Sequence, residues 1–305
     1  MRDLNKYKGV IPAFYACYDN EGNVSDERTA DLVDYLAKKG VKGLYVCGSS
    51  GECIYQGVSE RKQVLETVVK AAAGRLTIIA HVACNNTKDS MELAAHAESL
   101  GVDAIASIPP IYFKLPDESI AKYWNDISSA APNTDFIIYN IPQLAGVSLS
   151  IPLLKTMLEN PMVVGVKNSS MPVQDIQMFK MTKTEDFVVF NGPDEQFISG
   201  RLIGADGGIG GTYAVMPELF LKADELLSNG ENAKACEIQC AINDVIYAMC
   251  SCGCNMYAAA KEILRLQGVD CGGVRAPLKE ITDDGKVLAA KVKDMIDAAK
   301  AKYIA

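Results

Sequence analysis

The sequence predicts an α/β protein that closes into a (β/α)8 barrel, and three observations lead to this fold class. Short apolar segments alternate with longer amphipathic segments from the N-terminus to about residue 211. There are eight of these apolar segments, and each is a continuous run, which is typical of parallel strands buried on both faces. The chain of 305 residues is also long enough for one such barrel. Eight consecutive βα units favour a closed barrel over an open doubly wound sheet.

The predicted strands and helices follow one another in regular order. The strands cover 9–14, 43–47, 76–82, 104–108, 136–140, 162–167, 187–191 and 207–210. Helical periodicity covers 26–39, 59–73, 87–99, 117–130, 150–159, 173–183 and 194–203. Gly40, Gly74 and Gly101 directly follow helical segments, where a residue in the left-handed conformation commonly ends a helix. This order is that of a TIM barrel.

No further strand is predicted after residue 214. Helical patterns cover 217–229, 231–250, 255–267 and 284–301. No low-complexity linker precedes this region. We therefore expect a barrel over residues 1–214 and a C-terminal helical region over 215–305 that packs on the barrel.

Composition and charge exclude several classes of protein. The net charge is −8 and the sequence pI is about 5.0, which argues against nucleic acid or an anionic membrane as the main partner. No apolar run is long enough for a membrane helix, and the N-terminus lacks the apolar core of a signal peptide. We therefore expect a cytoplasmic protein in which the ten cysteines are reduced thiols.

The cysteines and histidines do not predict a metal site. Cys250, Cys252 and Cys254 form a C-x-C-x-C run with one residue between neighbours, whereas structural zinc sites use repeated pairs of cysteines with two to four residues between them. We expect these three to be small buried core residues. His81 ends an apolar strand and is expected to be partly buried and structural, and His96 is expected at a surface or packing position within a helix. With only these two histidines, the sequence gives little support for a Ser-His-Asp catalytic triad.

Two reactive side chains are predicted at the carboxyl ends of adjacent strands, where barrel active sites lie. Lys167 ends the apolar run 162–167, and partial desolvation there would lower its pKa and make the neutral amine available. The alternative is a solvated lysine beyond a strand end. Tyr139 ends the preceding strand and could transfer a proton. Its alternative is a core tyrosine bonded to the backbone.

Two loops add polar groups at the same end of the barrel. The segment Gly48–Glu52 places Ser49 and Ser50 between glycines, a pattern suited to binding a carboxylate. After the seventh strand, Asp194 and Glu195 could accept hydrogen bonds from a polyol, although acids at a helix start also offset the helix dipole. The glycines of 207–211 do not have the spacing of a nucleotide-binding loop.

Three segments in this order resemble the N-acetylneuraminate lyase and dihydrodipicolinate synthase superfamily of class I aldolases. They are Gly48–Glu52, Tyr139–Pro142 and Val164–Lys167, and the resemblance covers nearly the whole chain. It implies a pyruvate Schiff base on Lys167, proton transfer by Tyr139, and binding of the pyruvate carboxylate by Ser49 and Ser50.

The resemblance also has implications for assembly. Tyr112 resembles the family tyrosine that reaches into a neighbouring subunit's site. A homotetramer built from dimers is implied, and no metal or cofactor.

Further residues resemble the sialic acid lyase branch of that superfamily. Dihydrodipicolinate synthases usually carry an arginine shortly after the Tyr-Asn-x-Pro motif, and 143–146 contains none. Gly192, Asp194 and Glu195 match the residues by which the lyase branch binds the glycerol-like tail of the sugar. Ser169 stands where threonine is frequent and could contact the sugar, whereas Gly211 stands where serine is frequent, so one contact with the tail is expected to be absent.

The implied reaction is the reversible cleavage of N-acetylneuraminate to N-acetylmannosamine and pyruvate. Two alternatives from the same superfamily stay open at this point, namely dihydrodipicolinate synthase and an aldolase for 2-keto-3-deoxy sugar acids. A third alternative is a non-catalytic protein that binds a keto acid or sialic acid. The reactive amine and the phenol argue against it, because binding alone requires neither.

Overall fold

The computed structural model describes residues 3–304, and within them eight parallel strands form one sheet. The strands are β1 Gly9–Pro12, β2 Gly43–Val46, β3 Thr77–His81, β4 Ala104–Ser107, β5 Asp135–Asn140, β6 Val163–Asn168, β7 Val188–Asn191 and β8 Gly207–Gly210. Neighbours in sequence are neighbours in the sheet, and β1 also pairs with β8. The backbone N–H of Lys42 donates to Val10, and that of Phe14 donates to Tyr45, so β1 and β2 also meet. The predicted (β/α)8 barrel is therefore confirmed.

Helices alternate with the strands as predicted. They are α1 Asp26–Lys38, α2 Val58–Ala72, α3 Thr87–Ser99, α4 Asp117–Ser129, α5 Pro142–Ala145, α6 Ile151–Met157, α7 Gln174–Thr182 and α8 Phe197–Leu202. The Ser25 hydroxyl caps α1, and the Asn86 side chain caps α3, by accepting backbone N–H groups of the first turn. Gly40, Gly74 and Gly101 have φ values of 80°, 75° and 71°, which confirms the predicted left-handed helix ends.

Three short elements were not predicted, because three or four residues are too few to show a hydrophobic pattern. They are α5 and the 3-10 helices Leu4–Tyr7 and Cys53–Tyr55. A further 3-10 helix, Asp194–Gln196, lies within the helical segment predicted over 194–203. Cys53–Tyr55 and Asp194–Gln196 follow β2 and β7, in the loops expected to form the site.

Apolar side chains fill the barrel on both sides of the sheet. The interior cluster includes Ile11, Ile79, Ile137 and Phe190. A larger cluster fills the space between the strands and the surrounding helices and continues into the C-terminal helices. Because both faces of each strand are covered, polar side chains can reach a cavity only at the strand ends.

The C-terminal region is helical, as expected. It consists of α9 Pro217–Ser228, α10 Asn232–Cys250, α11 Met256–Leu266 and α12 Asp283–Tyr303. Phe220 on α9 packs against Phe197 on α8 with ring centroids 5.6 Å apart, and α9 also contacts β1. The helical extension therefore packs against the barrel, while the division into 1–214 and 215–305 stays a prediction.

The cysteine run at the end of α10 differs from its prediction. Cys252 is buried and Cys254 is partly buried, but Cys250 is exposed, so the expectation of three core residues is wrong for Cys250. The cause is geometric, because Cys250 lies in the last turn of α10 and points away from the packed face. Within residues 3–304, no group of three or more His, Cys, Asp or Glu side chains is placed to hold a metal ion.

Among the helices of residues 3–304, none combines the length and the apolar character needed to cross a membrane.

Candidate active site

A cavity of about 250 Å³ lies at the carboxyl ends of the strands. The structure brings nine of the predicted site residues to its wall, from five different loops and strand ends. These are Ser49, Ser50, Tyr139, Lys167, Ser169, Gly192, Asp194, Glu195 and Gly211.

Tyr112 is the predicted site residue that does not line this cavity. Its side chain is 89% exposed, it stacks edge-on against Phe113, and its backbone has a left-handed φ of 89°. The structure therefore does not place Tyr112 in the site of its own chain, and its contact with a neighbouring subunit stays a prediction.

Lys167 lies on β6, and its side chain lines the cavity. Its side chain is only 4% exposed, and its Nζ lies 3.8 Å from the ring centroid of Tyr139 and 4.2 Å from that of Tyr45. Burial lowers its pKa from 10.5 to about 7, although the negative charge of Asp194 opposes this shift. A substantial share of the amine is then neutral near pH 7, as a nucleophile requires. The alternative of a solvated lysine is wrong.

Tyr139 lies on β5, where it pairs with Lys167 of β6, and it is buried. Burial raises the pKa of its phenol to about 12, although the nearby hydroxyls of Ser169 and Ser49 lower it. The phenol is thus protonated near neutral pH. Because Tyr139, Ser49 and Ser169 all line the cavity, the phenol lies at the cavity wall together with these hydroxyls and is no ordinary core tyrosine.

Aromatic side chains pack together beside the Lys167 amine. The rings of Tyr45 and His81 lie 5.7 Å and 6.1 Å from the ring of Tyr139. His81 is fully buried, and its Nδ1 lies 3.0 Å from the carbonyl oxygen of Cys47. Burial and the nearby Arg61 charge hold the pKa of His81 well below its usual value, so the imidazole is neutral. This agrees with the structural role predicted for His81.

The loop after β2 is a tight turn that presents two serines. The backbone N–H of Glu52 donates to the Ser49 carbonyl at 3.0 Å, and Glu52 adopts a left-handed φ of 54°. A Cβ at Gly48 would lie 2.6 Å from the Tyr45 ring, so only glycine fits there. Ser50 donates a hydrogen bond of 3.2 Å to the hydroxyl of Tyr257. The turn thus presents two hydroxyls beside Lys167, which suits a small carboxylate.

Asp194 and Glu195 differ in their surroundings. Asp194 is buried and accepts hydrogen bonds from the backbone N–H and the hydroxyl of Thr212 at 2.6 Å and 2.5 Å. Burial raises its pKa to about 6 even though these bonds lower it. Glu195 is exposed at the cavity rim. Because Asp194 is directed to the loop after β8, offsetting a helix dipole does not account for it.

Two glycines bring backbone close to the cavity. A Cβ at Gly192 would lie 2.0 Å from the Ser169 hydroxyl, so glycine is required. The Gly211 carbonyl accepts a hydrogen bond of 2.5 Å from Tyr15, which fixes the loop after β8.

The C-terminal helices supply site residues that the sequence analysis missed. Tyr257 on α11 lines the cavity. On α10, Gln239 donates to the backbone carbonyl of Asp194 at 3.1 Å, and Asn243 donates to that of Glu195 at 3.1 Å. The polar pair Gln239 and Asn243, four residues apart in a largely apolar stretch, was the available signal, since such positions share one helix face.

A (β/α)8 barrel with a desolvated lysine amine at its mouth, beside a phenol and a pair of hydroxyls, has the site of a Schiff-base enzyme. The sequence matches the dihydrodipicolinate synthetase family over residues 6–298, and the chain belongs to that family.

Individual relatives agree with the family over full length. The chain is 62% identical over 305 residues to an N-acetylneuraminate lyase of Mediterraneibacter gnavus, covering 100% of this chain and 97% of that protein. The structure of a catalytic lysine mutant of Ruminococcus gnavus sialic acid aldolase is also 62% identical, with a TM-score of 0.98 over 99% of this chain and 100% of the other. CdNal from Clostridium difficile in complex with mannosamine is 31% identical, with a TM-score of 0.91 over 99% and 100%.

Proposed function

We propose that this chain is a Schiff-base lyase that reversibly cleaves N-acetylneuraminate to N-acetylmannosamine and pyruvate. The observation that carries the proposal is the buried Lys167, whose pKa of about 7 leaves the amine free to attack a ketone. A relative that is 62% identical is named N-acetylneuraminate lyase, and a solved relative of the same identity is described as having a catalytic lysine.

In the proposed mechanism, Lys167 attacks the C2 ketone of the open-chain sugar acid, and loss of water gives an iminium ion. The C4 hydroxyl then loses its proton and becomes a carbonyl as the C3–C4 bond breaks. The electron pair of the C3–C4 bond is accepted by the iminium, which becomes an enamine. Protonation of the enamine and hydrolysis release pyruvate and restore the amine. The iminium is itself the electron sink, so the mechanism uses no metal and no diffusible cofactor.

Tyr139 is the proposed group for the C4 proton. Its pKa of about 12 keeps the phenol protonated near neutral pH. The positive iminium would form directly beside its ring, and a nearby positive charge favours the phenolate. The substrate carboxylate would assist this proton transfer. Schiff-base formation therefore prepares Tyr139 to accept the proton at the step that needs it.

The remaining cavity residues divide between the two halves of the substrate. We assign the pyruvate carboxylate to Ser49 and Ser50. The sugar portion is assigned to Ser169 and to the loops after β7 and β8, through Gly192, Asp194, Glu195 and Gly211. Both groups line the one cavity that Lys167 also lines.

A homotetramer in the cytoplasm completes the proposal. The exposed Tyr112, next to Phe113 at 70% exposure, is the segment proposed to enter a neighbouring subunit's site. Light scattering coupled to gel filtration, on wild type and Tyr112→Ala, tests the assembly.

The decisive experiment has two parts. Borohydride is added to the protein with pyruvate, and mass spectrometry locates the reduced adduct, which is expected on Lys167 and absent in Lys167→Ala. Turnover is then measured with N-acetylneuraminate, with 2-keto-3-deoxy sugar acids, and with pyruvate plus aspartate semialdehyde. Absence of an adduct would remove the Schiff-base mechanism. An adduct on Lys167 together with cleavage of another substrate alone would assign the chain to one of the sister activities.

A further inference from the structure

A buried ion pair links the turn after β2 to the C-terminal region. The Nζ of Lys261, on α11, lies 2.7 Å from a carboxylate oxygen of Glu52, and the two side chains are 1% and 0% exposed. The other Glu52 oxygen accepts the backbone N–H of Arg275 at 2.8 Å. Lys261 also donates to the Gly273 carbonyl at 2.6 Å. Glu52 and Lys261 are separated by 209 residues in sequence, so the pair ties two distant parts of the chain together.

Glu52 is the last residue of the turn that presents Ser49 and Ser50. Its backbone is left-handed, with φ of 54°, a conformation that costs free energy for any residue with a Cβ and persists only when its surroundings hold it. The Glu52 side chain is held by Lys261 and by the Arg275 backbone. The ion pair therefore fixes the backbone three residues from Ser49 and two from Ser50.

A second contact from the same helix reaches the same turn. Tyr257 lies four residues before Lys261, so both occupy one face of α11. Ser50 donates to the Tyr257 hydroxyl, while Glu52 accepts from Lys261. Helix α11 thus holds the turn at two points, one at a cavity-lining serine and one behind it.

We propose that Glu52 and Lys261 are positioning residues for the pyruvate carboxylate. Neither lines the cavity, and they act by holding the turn so that the hydroxyls of Ser49 and Ser50 face the keto acid bound at Lys167. The inference rests on the proposed function, because the carboxylate it concerns is that of the Schiff-base substrate. Small displacements of a positioned hydrogen-bond donor weaken binding strongly.

Two variants test the pair. Lys261→Met leaves the Glu52 carboxylate buried without its cation, so the double variant Glu52→Gln/Lys261→Met, which leaves no buried charge, is made beside it. The chain offers a control of similar connectivity in Lys180, which donates to the Asp206 carboxylate and to the Phe187 carbonyl. The Lys180 and Asp206 side chains are less buried than the Glu52 and Lys261 pair, at 24% and 15% exposed. Asp206 also accepts a backbone N–H, from Val189, as Glu52 does from Arg275. This second pair lies at the amino ends of β7 and β8, away from the cavity.

The readout is the rate of borohydride trapping as a function of pyruvate concentration, with thermal unfolding of each variant measured in parallel. In the double variant the half-saturating pyruvate concentration is expected to rise about tenfold or more, as for the loss of a hydrogen bond to a charged group. The maximal trapping rate at saturating pyruvate should stay near that of wild type. Lys180→Met is expected to lower the unfolding temperature but to leave half-saturation within about twofold of wild type.

The outcomes distinguish failure of the proposed function from failure of the positioning role. A wild-type protein that traps no pyruvate would remove the proposed function. Trapping by the wild type, with unchanged half-saturation in a folded double variant, would overturn the positioning role and leave the lyase proposal intact. The same rise in half-saturation in Lys180→Met, or failure of both pair variants to fold, would show that the pair serves the fold as a whole and would also overturn the inference.

Discussion

Tyr139 and Lys167 are register partners on β5 and β6, and the amine nitrogen lies 3.8 Å from the centroid of the phenol ring. Their alignment depends on a register shift. Phe136 pairs with Val163, but Ile137 pairs with Gly165, so one residue of β6 is left over between them. Without that shift Tyr139 would pair with Val166, whose side chain points to the opposite face of the sheet. A local irregularity at the strand start thus brings the amine and the phenol together.

The first prediction concerns the pH dependence of adduct formation. Because the pKa of Lys167 is lowered to about 7, the neutral amine predominates above that pH, whereas an ordinary lysine needs a pH above its usual 10.5. The rate constant for trapping at low pyruvate is therefore expected to rise about tenfold per pH unit well below pH 7 and to level off by about pH 8. Cyanoborohydride trapping between about pH 5.5 and pH 9 measures it. A rate that continues to rise at pH 9 would contradict the assigned pKa.

The second prediction separates Tyr139 from Lys167. Tyr139→Phe keeps the ring beside the amine but removes the phenol, so trapping of pyruvate should persist while kcat for N-acetylneuraminate cleavage falls by about 10²- to 10⁴-fold. Tyr45→Phe is the matched control, because its ring lies 4.2 Å from the same amine and its hydroxyl is buried with no hydrogen-bond partner among residues 3–304. Equal losses of kcat in the two variants would show that the Tyr139 phenol has no special role.

The sequence predicted the barrel and the meeting of Lys167 and Tyr139 at its mouth. Strand ends can be read from continuous apolar runs, and polar residues at those ends can reach only the barrel mouth. This places Lys167, Tyr139 and Asp194 correctly in the cavity wall. The register shift at Phe136 could not be read, because it depends on how two strand backbones pair and on no property of a single side chain.

Contacts between distant parts of the chain also could not be predicted from the sequence. Tyr257 and Lys261 lie on an ordinary amphipathic helix, and only the packing of α11 shows that one face of it meets the turn after β2. Gln239 likewise reaches the Asp194 backbone only because α10 packs on the loop after β7. The exposure of Cys250 has the same origin, since the packing of α10 decides which face of that helix is covered.

The third prediction tests Asp194 with two readouts. Asp194→Asn removes a charged acceptor, so KM for N-acetylneuraminate is expected to rise on the order of 10- to 100-fold, while half-saturating pyruvate stays unchanged. The same substitution removes a negative charge that raises the pKa of Lys167, so the midpoint of the trapping profile should move below pH 7. Glu195→Gln, at the exposed rim, is the control and should leave that midpoint in place. A shifted midpoint with an unchanged KM would show that Asp194 acts on the amine alone.

The last prediction concerns Gly211, where the lyase branch often has serine. A Cβ there would lie 3.3 Å from the Ser50 hydroxyl and 3.5 Å from the Tyr257 ring, close enough to need only a small adjustment of Ser50. Gly211→Ser should therefore fit and add a hydroxyl to the cavity wall. One added hydrogen bond contributes about 0.5–1.5 kcal/mol, so KM for N-acetylneuraminate is expected to fall by about 2- to 10-fold.

Gly211→Ala separates the hydroxyl from the added carbon. If the serine hydroxyl binds the sugar tail, the alanine variant keeps the wild-type KM for N-acetylneuraminate and only the serine variant improves it. Crowding of Ser50 would act differently, because Ser50 is assigned to the pyruvate carboxylate. In that case both variants would raise half-saturating pyruvate in the trapping assay, and the absence of serine at this position would reflect packing against Ser50 and Tyr257 and not a difference in sugar recognition.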